Sequence, residues 1–440
     1  MTHRLAAAFL ALAFVAVPLG AGAATLHPAR AIVETGDGPP LAAVELWFRA
    51  PSSGFAGPLV GLAQLAAESV AASQGHGEPL AALVQDRGGR LAIATFSDSV
   101  QVSALVPASS AVEIARAAFE DYTRPALTED GFKHARASVA VEAAEAQADP
   151  DAQLRARLFG SLFSGGPDRF ASLPTVAQLG ALDYGDVVAF AKRAFRAENA
   201  VAVVVGVHDA APVLEALGGS AKGEPAEPPA VSTPTSSPAR IHGDSIAGPA
   251  LGLAYAGPPI ADRRAATAMD FLSDYLLARK TGTLVRAVAG VSPSASVGGQ
   301  FITLNDPGIL LVEVTGDASD AVRNAVESTL RTAEQPLDPK AFEIAQRQYV
   351  YHLLHDLQTV QAQADNLGWY AVEGAPSYAP FAGGEQGEYM TLARGLTPAY
   401  VAEMARRYFA ATPAVTTLVP MPPAPPKAPG SAPQQEEKAK

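Results

Sequence analysis

Cysteine is absent from all 440 residues, which rules out thiol catalysis, thiolate metal ligation and a disulfide framework. Positive charge is in short supply: 32 Lys and Arg face 44 Asp and Glu, for a formal charge of -12. That balance has the wrong sign for a nucleic-acid footprint, so no nucleic-acid partner is expected. Past the amino-terminal segment no uninterrupted apolar run reaches the ~18 residues of a membrane-spanning helix. The short motifs that mark hydrolases and nucleotide binders are missing too: there is no G-x-S-x-G, S-x-x-K, H-E-x-x-H or G-x-x-x-x-G-K.

What is present begins with MTHRLAAAFLALAFVAVPLGAGAAT, a basic residue, an apolar run and then small residues. This pattern predicts a secretory signal peptide over residues 1–23, cleaved after Ala23 or Ala24, with an uncleaved anchor as the alternative. Export without any disulfide fits a bacterial periplasm or exterior. The remaining chain is longer than one hydrophobic core usually supports, and with 48% apolar residues it has material for two.

Residues 219–241, GSAKGEPAEPPAVSTPTSSPARI, lack an apolar period and predict an extended, poorly ordered linker. Residues 421–440 have the same character and predict a disordered Pro-rich tail. The blocks on either side of the linker, 24–218 and 242–420, repeat one another. In each, an alternating strand precedes a helix, a turn and a second helix, capped by Thr128 in the first block and by Asp338 with Pro339 in the second. Leu127 then matches Leu337, and Phe132 matches Phe342. LDYGDVVAFAKRAFRAENAVAVVVG likewise matches LTPAYVAEMARRYFAATPAVTTLV, a capped helix followed by a β-branched strand. The expected fold class is α+β, two homologous domains that mix hairpin strands with long helices.

The order of AAVELWFRA, GLAQLAAESVAAS, LVQDRGGRLAIATFSDSVQVSALVP, EAAEAQADPDAQL and the second copy resembles the pitrilysin/insulinase-type zinc peptidases, the inverzincins. It is closest to their bacterial members built as one half-clamshell of two homologous domains. The resemblance implies a mostly antiparallel sheet packed with long helices in each domain. Active members carry His-x-x-Glu-His on the first helix and a further Glu on a later one. Two His at i and i+4 share a helical face and bind zinc, and the Glu between them is the general base for a metal-bound water. Laid on this sequence, the pattern puts Gln64 and Glu68 at the two His positions and Ala67 at the Glu position. The distal ligand falls on Glu142, with Glu145 as the alternative register. Gln is a poor zinc ligand beside imidazole, and Ala cannot move a proton.

The family's second domain also supplies an Arg and Tyr pair that engages substrate. Here that region reads TLVRAVAGVSPSASVGGQF, with Pro293 near the Tyr position and Arg286 as the candidate substrate-binding basic residue. The resemblance therefore implies a noncatalytic subunit with no zinc of its own. It would pair as a heterodimer with a homologous zinc-bearing half, or self-associate, to enclose a peptide. The alternative is a stand-alone periplasmic peptide-binding or scaffold protein of the same fold. Outside that pattern, His352, His355 and Asp356 share one helix and read as a polar face, and His76 reads as a loop residue.

Overall fold

Strands β1 (Arg30–Thr35) and β2 (Leu41–Arg49) lead into helices α1 (Leu62–Ala71) and α2 (Leu80–Asp86), then into the hairpin β3 (Arg90–Thr95) and β4 (Ser99–Pro107). Helices α3 (Ala111–Thr123), α4 (Glu129–Ala148), α5 (Pro150–Leu162), α6 (Val176–Ala181) and α7 (Tyr184–Ala194) follow, then β5 (Ala200–Val207) and α8 (Ala211–Ala216). The second half opens with β6 (Ala250–Ala256), α9 (Arg263–Leu277), α10 (Thr283–Val291) and the hairpin β7 (Ser296–Ile302) and β8 (Ile309–Thr315). It continues through α11 (Asp320–Ala333), α12 (Pro339–Asp356), α13 (Val360–Val372), α14 (Glu388–Arg394) and α15 (Pro398–Phe409) to β9 (Ala414–Leu418). The computed structural model describes residues 26–38, 40–74, 77–163, 166, 173–235 and 248–419. The expected leader at 1–23, the tail at 421–440, His76 and the linker's end at 236–241 lie outside the described residues.

The first sheet has the order β1-β5-β2-β4-β3 and the second β7-β8-β6-β9. Every pairing is antiparallel except β1 with β5. The fold is thus α+β with two mostly antiparallel sheets, as the repeat implied. Local chemistry sets the elements. The Thr128 hydroxyl accepts the Gly131 amide at the start of α4, and Asp338 accepts the Lys340 and Ala341 amides ahead of Pro339 at the start of α12. β5, AVAVVVGV, is buried along almost its whole length, which explains why it reads as continuous β-branched residues without alternation.

That burial has a specific source. Each sheet carries its own helices on one face and a single helix from the other half on the opposite face. α5 crosses to lie on β6, β8 and β9, where Leu154 and Leu158 join Ala250 and Ala254. α13 crosses back onto β2 and β5, where Leu367 and Ala371 join Trp47 and Val201. Both crossings need glycine. A Cβ on Gly252 would lie 2.7 Å from Leu158 Cδ1, and one on Gly368 would lie 2.0 Å from Trp47 Nε1. The halves are therefore interlocked, and neither sheet keeps both faces covered without the other half.

Residues 219–235 are neither helix nor strand. Expected to be loose, this stretch is instead held to the fold. Glu224 reaches Arg30 at 3.1 Å and Arg49 at 3.3 Å, Glu227 reaches Arg196 at 2.9 Å, and the Thr235 amide donates to the Leu162 carbonyl at 2.6 Å. Arginines of the first half are placed to receive its acidic residues.

Candidate functional site: a degenerate metal centre

α1 follows β2 through the turn-rich residues 51–61 and is buried on most of its circumference, through Leu62, Leu65, Ala66, Ala67, Ser69 and Val70. The one face left carries Gln64 and Glu68, half-buried and one turn apart. α4 lies against that face, and the Gln64 Nε2 group donates to Glu142 Oε2 at 2.9 Å. Glu142 is thus the carboxylate that faces α1. Glu145 sits about one turn further along α4 on its exposed surface.

Glu68 is pushed up to about 7, first by burial and then by the charge of Glu142. At neutral pH it is therefore poised between acid and carboxylate. Ala67 is fully buried, and its carbonyl accepts the Tyr122 hydroxyl at 2.8 Å. The structure therefore brings together three of the positions laid out from sequence, Gln64, Glu68 and Glu142. Against the family pattern, an amide stands at one ligand position, a carboxyl pushed above its usual range at the other, and a methyl group at that of the base.

The residues present do not fit a catalytic zinc. The amide of Gln64 is occupied by Glu142, and Glu68 disfavours the ionised form a metal needs. Nor do any three His, Cys, Asp or Glu side chains among the described residues form a group able to hold a metal ion.

Arg286 lies on α10 and lines a separate cavity of about 400 Å³ with Tyr275, Gln348 and His352, none of which belongs to the α1–α4 pair. Pro293 sits in the exposed turn after that helix. His352 is half-buried, with Nδ1 2.7 Å from Asp274 Oδ1, whereas His355 is exposed and lies 3.3 Å from Asp356. The His352 contact fits the repeat. The shift that matches Leu127 to Leu337 carries Gln64 to Asp274 and Glu142 to His352, so the equivalent helices of both halves share a polar contact at these positions.

Two further groups escaped the sequence reading. Asp270 on α9 accepts the hydroxyls of Tyr349 and Tyr389, the first at 2.8 Å. Glu45, 1% exposed, accepts from Trp47 Nε1 at 2.8 Å and from Gln361 Nε2 at 2.7 Å, and is pushed up to about 8, chiefly by burial. Asp270 draws both partners from distant helices, and Glu45 draws Gln361 from α13 beside its strand neighbour Trp47.

Residues 181–349 match the family model described as "Peptidase M16 inactive domain". Over those residues the chain is similar to the M16, pitrilysin/insulinase-type family, in its inactive form. The matched span starts near the end of the first half and ends within α12 of the second, so it leaves α1 to be judged on its own residues. No curated protein matches the chain.

Solved structures share the M16 half-clamshell fold over nearly its whole length. A protease from Helicobacter pylori aligns with a TM-score of 0.78 at 17% identity, covering 90% of this chain and 98% of that one. A peptidase M16 inactive domain from Pseudomonas fluorescens aligns at 0.73 and 17% identity, covering 90% and 96%. A chain of complex III from Candida albicans aligns at 0.72 and 13% identity, covering 89% and 93%. The second half is thus similar to an inactive-type M16 domain, and α1, outside the matched span, carries Gln64, Ala67 and Glu68 where the family pattern has His, Glu and His.

Proposed function

We propose that this chain is the noncatalytic half of an exported M16 peptidase. It pairs in the periplasm with a homologous half that carries an intact His-x-x-Glu-His and its zinc, and it supplies one wall of the peptide chamber. The observation that carries the reading is the α1–α4 contact. Read by the family pattern α1 is the zinc helix, and there Gln64 bonds Glu142 and Ala67 offers no base, which supports the loss of chemistry. A fold kept after its chemistry is lost is best explained by a surface that still serves a partner. Export rests on the amino-terminal pattern of residues 1–23.

One observation favours a second reading, a peptide-holding protein that acts alone. β3 is the outer strand of the five-stranded sheet and offers a backbone edge for strand addition by an extended peptide. Mixing the purified chain with a zinc-bearing M16 half from the same cell separates the two. A stable mixed complex in light scattering, with faster peptide cleavage than the active half alone, supports pairing. A monomer that binds peptide and ignores the other half overturns it.

A further inference from the structure

Between the two halves lies a cavity of about 470 Å³. Phe96 and Phe159 reach it from the first half, and Asp270, Phe301, Trp369 and Tyr370 from the second. Two shallower depressions continue it. One shares Phe96, Trp369 and Tyr370 and adds Asp365, and the other shares Asp270 and adds Asp274 and Asp356.

The aromatic rings form a frame. Phe96 and Trp369 meet edge to face at 4.9 Å, and Trp47 stacks on Phe96 at 5.7 Å. Such rings offer negative faces to a cation.

Asp270 is the polar group the frame leaves in place. It is half-buried, and it lines both the cavity and one of the depressions. Tyr349 and Tyr389 hold it by hydroxyl donation to a single oxygen, Oδ2. The nearest charge acting on it is another carboxylate, Asp274, and among the described residues no basic side chain forms an ion pair with it. The one arginine in the cavity wall, Arg155, already spends its fork on Glu313 at 3.1 and 2.8 Å. A carboxylate fixed by hydroxyls, framed by aromatic faces and lacking a counter-ion is complementary to an organic cation.

We propose that this cavity binds the side chain of an arginine or lysine in a peptide lying across the two halves, with Asp270 as its counter-ion and Phe96 and Trp369 as its walls. The inference rests on reading the chain as a peptide-holding M16 half, and it adds a side-chain preference that the degenerate zinc site does not supply.

Isothermal titration of the purified full chain tests it, using a five-residue alanine peptide with a central arginine and the same peptide with citrulline, its neutral isostere. The arginine peptide should bind at least tenfold more tightly. In D270N the two peptides should bind alike, at the citrulline affinity of the wild type. Trp369→Leu should weaken both peptides, the arginine peptide more, so that the preference for arginine narrows but persists through Asp270. Equal binding of the two peptides to the wild type, or no binding of either, overturns the proposal, and that comparison needs no variant to fold. A preference for arginine that survives in a folded D270N overturns the role of Asp270. Pairing is scored separately: a mixed complex without arginine preference sinks the cavity alone, and arginine preference without a mixed complex sinks pairing alone.

Discussion

Gln64 and Glu68, the positions that the family pattern pairs with two zinc ligands, lie one turn apart on α1 beside Glu142. Replacing both residues by histidine should therefore rebuild a ligand set of two imidazoles and a carboxylate. The Q64H and E68H double variant is expected to take up one zinc per chain by elemental analysis. It should still cleave no peptide, because Ala67 cannot accept a proton from a metal-bound water. A folded double variant that stays free of zinc would show that α1 and α4 are not aligned as a ligand pair.

Glu68 also makes a pH prediction. Its folded value of about 7 lies above the usual glutamate value of 4.5, so the folded chain holds a proton that the unfolded chain has released. Stability from this group is present below about pH 4.5, is lost as pH rises to about 7, and stays lost above. E68Q removes that loss. Relative to the wild type it should be more stable at pH 8 by roughly 1–3 kcal/mol, with the gap closing toward pH 4. Thermal melts at the two pH values check this, and a gap that widens at low pH contradicts it.

The exchanged helices α5 and α13 tie the halves together, and Gly368 is the tightest point of the α13 crossing. Gly368→Ala should lower stability by roughly 1–3 kcal/mol, since its new methyl must displace the Trp47 indole on β2. Urea unfolding followed by tryptophan fluorescence reports it, and an unchanged midpoint would mean that α13 does not press on β2. Much at this level was open to sequence reasoning. AVELWFRA reads as a strand and is β2, the caps Thr128 and Asp338 start α4 and α12, and the repeat of Leu127 with Leu337 holds. Such features depend on residues close in the chain. The crossing of α5 and α13 does not, because their apolar faces fit either half equally well and only the assembled sheets choose. The same reason hid Asp270, whose hydroxyl partners come from α12 and α14, and the pinned stretch 219–235, whose acids meet arginines of the first half.

Taken whole, the molecule has the half-clamshell fold, with a span similar to an inactive-type M16 domain and an α1 that carries no His. Two halves interlocked through α5 and α13 are compatible with the proposed role as one wall of a shared chamber. The central claim is that this chain performs no zinc hydrolysis of its own. Zinc content and peptide turnover, measured together on the purified full chain without partner, bear on that claim directly. The expected result is zinc far below one ion per chain and no cleavage of unstructured peptides. One tightly held zinc per chain with cleavage that a chelator abolishes would contradict the account.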